Sequence, residues 1–209
     1  MGSATGDEDE RPVRRVTVHA FFIDRTEVTV RAYDACVAAG ACPKAEVRPN
    51  CNEGVAGREE HPINCVTWRE SSDYCAFRGL RLPTEEEWEY AARGTDGRTY
   101  PWGEAAPGNQ LCWDGPGSEV GAGKRRSTCV VGSHAAGRSA FDIEDMAGNV
   151  WEWTADFSSP DYAAPRAEPY RVTRGGTWFG YAPYDVRSAL RFAMKPEARA
   201  HGVGFRCAR

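Results

Sequence analysis

Hard oxygen donors gather in residues 141–153, Phe-Asp-Ile-Glu-Asp-Met-Ala-Gly-Asn-Val-Trp-Glu-Trp, where Asp145, Asn149 and Glu152 surround Gly148. Carboxylate and amide oxygens of this kind suit calcium. The tryptophans beside them could close a core around a loop poor in regular structure. A second group opens at Arg-Gly-Gly-Thr-Trp-Phe-Gly, residues 174–180, and runs into an arginine-punctuated stretch. Read as a strand, that stretch sets Val186, Ser188, Leu190 and Phe192 on one face and Arg187, Ala189 and Arg191 on the other. Two guanidinium groups on one face make either a salt-bridged, solvated surface or a site for an anion or peptide carboxylate. A third group, Glu85–Glu87, follows Thr84 and reads as a helix start with acids in the positive first turn. That account is preferred to a pair of catalytic carboxylates.

Eight cysteines stand at 36, 42, 51, 65, 75, 112, 129 and 207, and four histidines at 19, 61, 134 and 201. No Cys-x-x-Cys spacing and no close histidine pair signals a zinc site. Four disulfides in an oxidising, extracytoplasmic setting are the simpler reading, with a reactive or metal-binding thiol as the alternative. Cys112 and Cys129 are expected to bridge within their loop. The connectivity of Cys36, Cys42, Cys51 and Cys65 is left open by their spacing.

The chain's 209 residues suffice for one domain with its own core. Its charge, 26 Lys+Arg against 30 Asp+Glu without a basic run, argues against nucleic acid as a partner. No run of about twenty apolar residues is present to span a membrane. Residues 1–12 lack the apolar stretch of a signal peptide and read as an extension or as the start of the domain, which then occupies 13–209. A longer parent chain is expected, with any export signal upstream.

Several elements must position these groups. Residues 13–24 alternate loosely and predict a strand. Thr29 opens a helix to about Ala39, closed by Gly40. Thr67-Trp68-Arg69-Glu70 and Thr84-Glu85-Glu86-Glu87 are capping boxes, each starting a helix that ends near Gly79 and Gly94 respectively. Residues 94–140 read as loop, a length that calls for ions, disulfides or buried aromatics as local cores. Gly121–Arg126 lacks the Walker spacing and is an exposed basic tip. Strands are expected over 172–179, 186–192 and 204–209.

The blocks Asp-Glu-Arg-Pro (9–12), Thr-Glu-Val-Thr (26–29), Arg-Leu-Pro-Thr-Glu-Glu-Glu-Trp-Glu-Tyr-Ala-Ala-Arg (81–93), Tyr-Pro-Trp-Gly (100–103), Asp-Met-Ala-Gly-Asn-Val-Trp-Glu-Trp (145–153), Arg-Gly-Gly-Thr-Trp (174–178) and Gly-Phe-Arg-Cys (204–207) follow in order. Together they resemble the formylglycine-generating-enzyme, or sulfatase-modifying-factor, family from one end of the chain to the other. The resemblance implies a mixed α/β fold, the family's variant of the C-type lectin fold, low in regular structure and with paired terminal strands. It implies a Cys75–Cys207 disulfide. It also implies structural calcium held by the side chains of Asp145 and Glu152 and the carbonyls of Gly148 and Val150, with Asn109 the candidate for a second calcium site.

In the family, two cysteines five positions apart follow the Gly-Gly-Ser/Thr turn. Their thiolates bind copper(I), which activates oxygen to convert a substrate cysteine to formylglycine. Here the two positions are Gly180 and Asp185, and no cysteine lies between Cys129 and Cys207. Copper is therefore not expected, since no other side chain replaces soft thiolates easily. The same fold serves as a ligand scaffold in the variable proteins of diversity-generating retroelements, and such domains are appended to bacterial kinases and exported lipoproteins. By that likeness Trp178, Phe179, Tyr181, Tyr184, Asp185, Arg187 and Arg191 form a binding surface for a protein, peptide or small molecule, in keeping with interface composition. The expected function is a calcium-stabilised binding or sensor module. The alternative is an oxidase, formylglycine-generating or non-haem iron, with an altered metal site.

Overall fold

The computed structural model describes residues 1–165 and 169–209. Three helices form where the caps place them: α1, Val30–Ala38; α2, Trp68–Phe77; and α3, Glu85–Arg93. The Thr29 hydroxyl accepts from the Ala32 amide, and both expected capping boxes close. Each cap satisfies main-chain donors that the first helical turn cannot.

A four-stranded sheet lies beside them in the order β3-β2-β1-β4. Its strands are β1 (Trp151–Phe157), β2 (Arg171–Arg174), β3 (Arg191–Met194) and β4 (Val203–Gly204). Pairing is antiparallel except between β1 and β4, which is parallel. The inner side of β1 meets the largest core, where Tyr33 of α1 stacks on Tyr74 of α2 and Tyr74 meets Phe205 edge-on. Trp153 is fully buried in that core, and its indole donates to the Val66 carbonyl. An aromatic ring with one polar handle can be buried there because the handle finds a partner.

Several strand expectations are corrected. Residues 13–22 form no strand. The segment is extended, and its sheet contact is a bridge between Ile23 and Ala208, with Phe22 and Arg209 exchanging both main-chain hydrogen bonds. The terminal segments are thus paired, over a shorter length than 13–24. The strand expected over 172–179 stops at Arg174, because Gly175 and Gly176 turn at φ 101° and 81°. A Cβ on Gly176 would lie 2.4 Å from the Asp185 carbonyl oxygen, so that turn requires glycine. The stretch expected as one strand over 186–192 is split into a 3-10 turn, Pro183–Val186, and β3. Its two-sided pattern also fails: Val186, Ser188, Ala189, Leu190 and Arg191 are all buried. The central strand β1 went unforeseen, since Trp151–Trp153 read as loop scaffold.

All eight cysteines are paired: Cys36–Cys42, Cys51–Cys65, Cys75–Cys207 and Cys112–Cys129. The Cys75–Cys207 bridge ties α2 to the C-terminus across 132 positions, worth about 3–5 kcal/mol on a chain-entropy argument. Four disulfides fit an oxidising setting. Among the described residues no helix is long and apolar enough to cross a membrane.

Candidate functional site

The arginines of the C-terminal half are held by carboxylates from the N-terminal half. Arg174, fully buried on β2, meets Glu89 of α3 directly and donates to the carbonyls of Ala189 and Leu190 at 2.6 and 2.7 Å. Arg191 of β3 grips both oxygens of Glu85 at 2.9 and 3.1 Å, and the Tyr162 hydroxyl adds a third donor at 3.2 Å. Glu85 and Glu89 lie four residues apart, so α3 presents both on one face. Arg187 reaches Glu10 at 2.6 and 3.0 Å, fastening residues 1–12 to the domain. The Gly2 amide does the same through Glu89 at 2.8 Å. Burial alone would raise the Glu89 carboxyl, but Arg174 and Arg93 outweigh it and hold the group below its ordinary range.

These contacts correct the expected binding surface. Arg191 is neither solvated nor open to an anion, because its guanidinium is already neutralised underneath the sheet. Trp178 is also withdrawn, packed against the Cys112–Cys129 bridge and edge-on to Phe179 at 5.1 Å. Arg187 is half-hidden, lying 4.3 Å above the Tyr184 ring. The residues left outward are Phe179, Tyr181 and Tyr184, at 42, 74 and 44 % exposure, together with Asp185. A groove of about 240 Å³ runs beside them, walled by Tyr184, Arg187, Arg93, Thr99, Ser3 and Thr5.

Positions 180 and 185 are brought together at the base of this face. A Cβ on Gly180 would stand 3.3 Å from that of Asp185. Two side chains there would touch. Here the Asp185 carboxylate instead accepts from the amides of Tyr181 and Ala182, at 3.1 and 3.0 Å, and closes the turn. The nearest approach to a soft-metal cluster among the described residues is Glu119, Cys129 and His134, but the Cys129 sulfur is in a disulfide and is not a thiolate.

The acidic stretch around Gly148 behaves differently. Gly148 turns at φ 78°, and a Cβ there would lie 2.5 Å from the Cys112 carbonyl. Val150 is fully buried behind it. Both Glu152 oxygens are bound by Arg206, at 2.7 and 2.8 Å, and one also accepts from the Trp88 indole at 2.8 Å. Asp145 accepts from the Gly132 amide at 2.5 Å. Beside it stands Glu27 of the Thr-Glu-Val-Thr block, which sequence reasoning passed over as a pattern residue. Glu27 is 2 % exposed, and neither of its oxygens meets a donor. Burial, then Asp145, then Glu152 push its carboxyl well above the ordinary range. Arg206 relieves part of the repulsion between Glu27 and Asp145, and a shared proton or a bound cation would relieve the rest. Asn109 is exposed on its loop.

The Sulfatase-modifying factor enzyme 1-like domain family matches residues 1–209. The chain belongs to this family. It is similar to the formylglycine-generating enzyme of Streptomyces coelicolor, 33% identical over 269 residues that take in 100% of this chain and 85% of the relative. It is also similar to the inactive C-alpha-formylglycine-generating enzyme 2 of Mus musculus, 36% identical over 176 residues, 79% of this chain and 55% of that protein. The solved structure of PvdO from Pseudomonas aeruginosa superposes with a TM-score of 0.82 at 28% identity, covering 100% of this chain and 89% of the other. The fold is the family's curled, mixed α/β arrangement, to which the C-type-lectin-like description applies.

The α3 carboxylates give a pH dependence with a definite sign. Because the folded Glu89 carboxyl lies below its ordinary value of 4.5, its stabilisation is complete above that pH and fades as pH falls through the lower folded value. Glu89→Gln should cost about 3–5 kcal/mol in urea unfolding at pH 7, the usual range for breaking a buried pair. The gap from wild type should narrow by pH 3. A gap that stays the same from pH 7 to pH 3 would remove Arg174–Glu89 as its source.

Proposed function

We propose that this domain is a calcium-stabilised binding module that has given up cysteine oxidation, and that it takes its ligand on the face formed by Phe179, Tyr181, Tyr184 and Asp185. The observation that carries the reading is at 180 and 185. The family's thiolate positions are adjacent, yet one has no side chain and the other spends its carboxylate on two loop amides. Every cysteine is bonded to another, which leaves no thiolate pair to hold copper(I). An inactive relative among the similar proteins supports the same direction. Exposed tyrosines beside a half-buried arginine are suited to gripping a peptide or small ligand at low entropic cost. The disulfides support a role outside the cytoplasm, secreted or surface-anchored.

The residues around Gly148 fit calcium. Three buried carboxylates, Glu27, Asp145 and Glu152, face one buried guanidinium, Arg206, so a divalent cation would restore balance. Asp145 and Glu27 would hold it, with main-chain carbonyls of the Gly148–Val150 turn. Glu152 would contribute an oxygen it already shares with Arg206. Hard, flexible oxygen donors of this kind are what calcium takes. The ion would supply charge and rigidity to the turn, with no chemical step.

The second reading, an oxidase with an altered metal site, is favoured by the likeness to the Streptomyces enzyme. Copper(I) and a cysteine-containing peptide distinguish the two. The binding reading expects no oxidation of the cysteine, and it expects peptide or glycan arrays to yield ligands whose signal is lost in a Tyr181→Ala, Tyr184→Ala variant of unchanged melting temperature. Turnover of the cysteine, or array signals indifferent to those two tyrosines, would sink it.

Calcium is tested apart from the ligand. Chelation with EGTA should lower the melting temperature, and added calcium should restore it. Glu27→Gln should abolish that calcium-dependent shift. Glu152→Ala is the poorer probe, because it strands Arg206 whether or not calcium is bound. A wild-type melting temperature unmoved by EGTA would remove the calcium claim.

A further inference from the structure

We propose that the Cys112–Cys129 bridge is a thiol-exchange site, opened by a dithiol reductant, and that Arg125 holds the Cys129 sulfur as the thiolate that leaves. The inference concerns the loop behind the ligand face and stands whether that face takes a peptide or a glycan.

The four bridges differ in their surroundings. The cysteines of Cys36–Cys42, Cys51–Cys65 and Cys75–Cys207 are at most 6 % exposed, and among the described residues no side chain donates a hydrogen bond to their sulfurs. Cys129 is 9 % exposed, the most open of the eight, and its sulfur receives the Arg125 Nη1 donor at 2.7 Å. That arginine is built into place. It is buried, its Nε donates to the Trp113 carbonyl at 2.9 Å, its main-chain amide to Asp114 at 2.6 Å and its Nη2 to Glu119 at 2.6 Å. An imidazole nitrogen of His134, a Glu119 oxygen and the Cys129 sulfur lie within 4.8 Å of one another. The His134 Nε2 is buried and meets no hydrogen-bond partner among the described residues. A disulfide sulfur is a weak acceptor, so a guanidinium turned on it gains little while the bridge is closed. A thiolate at the same place gains much, and whatever stabilises only the reduced form makes a bridge easier to reduce.

The exchange balances as follows. One thiolate of the dithiol attacks the Cys129 sulfur, the S–S bond breaks, and Cys112 takes the electron pair and a proton. The dithiol's second thiolate then attacks the dithiol's own bound sulfur and closes it to a disulfide, and Cys129 departs as a thiolate against Arg125. Two electrons pass from the dithiol to the bridge; of the dithiol's two protons, one ends on Cys112 and one in solvent. The bridge braces the turn under the ligand face. Asn149 donates its amide to the Cys112 carbonyl at 2.8 Å, takes the Cys129 amide on its side-chain oxygen at 2.9 Å, and accepts the Trp178 amide at 2.8 Å. Opening the bridge loosens that brace while Cys75–Cys207 still ties α2 to the C-terminus.

The folded protein is equilibrated with mixtures of reduced and oxidised dithiothreitol at pH 7, alkylated, and each bridge is read by mass spectrometry of its peptides. Cys112–Cys129 should open first, half-reduced at a ratio at least about tenfold lower than the next bridge requires. Arg125→Gln separates this account from simple exposure. A variant that merely loosened the loop would open more easily, whereas loss of thiolate stabilisation should raise the half-reduction ratio at least about threefold. Glu119→Gln, at an exposed position, removes a carboxylate that opposes the thiolate and should lower the ratio. Another bridge opening first, or Arg125→Gln opening at the same or a lower ratio, would overturn the site. If Arg125→Gln does not fold, Glu119→Gln decides, and an unchanged or raised ratio there overturns the site as well.

Discussion

A fully buried guanidinium keeps its charge and destabilises a protein severely unless a counter-ion meets it, and among the described residues this fold buries two of them completely. Arg206 sits between the termini and the central strand, where burial would lower its pKa but Glu152 more than offsets that. The same guanidinium donates to the carbonyls of Asp24, Arg25 and Glu144, gathering two loops around one ion. Arg174 does the equivalent for α3 and the turn before β3. Such pairs add little net stability over an apolar core of the same shape, but removing one partner is severe. They act as locators in a chain whose regular structure is too sparse to fix loop positions by itself.

That constraint separates scaffold from surface. Once Arg174 and Arg191 are committed to α3, and Arg187 to Glu10, these three arginines offer no free guanidinium row with which to recruit an anion. Under the proposed binding role, recognition falls to the loop between the Gly-Gly turn and β3. The loop is itself rigid: Asp185 closes it from within, and the Gly180 carbonyl accepts from the Asp114 amide at 3.0 Å. Aromatic side chains on a preorganised loop lose little entropy on binding. The Cys112–Cys129 disulfide packs against Trp178 and holds the same region.

What the sequence made legible follows from how local each signal was. Thr29, Thr67 and Thr84 announced their helices because a cap is a contact between neighbours along the chain. The ordered motif blocks identified the family for the same reason. The partners of Arg174, Arg191 and Arg206 could not be read, since each carboxylate lies dozens of positions away and alternation looks the same for a solvated and a paired arginine. Glu27 escaped notice because its meaning depends on Asp145, far along the chain. The strand at 13–24 was a sound reading of composition, but a strand needs a neighbour, and over 15–21 none is present among the described residues.

The central claim is that the C-terminal arginines serve as internal counter-ions and not as a recognition surface. A double-mutant cycle on Arg174→Gln and Glu89→Gln measures it most directly, by urea unfolding of wild type, both single variants and the pair. The account predicts a coupling energy of at least about 2 kcal/mol, within the range for residues in one buried network. Coupling near zero, with the single effects simply adding, would contradict it.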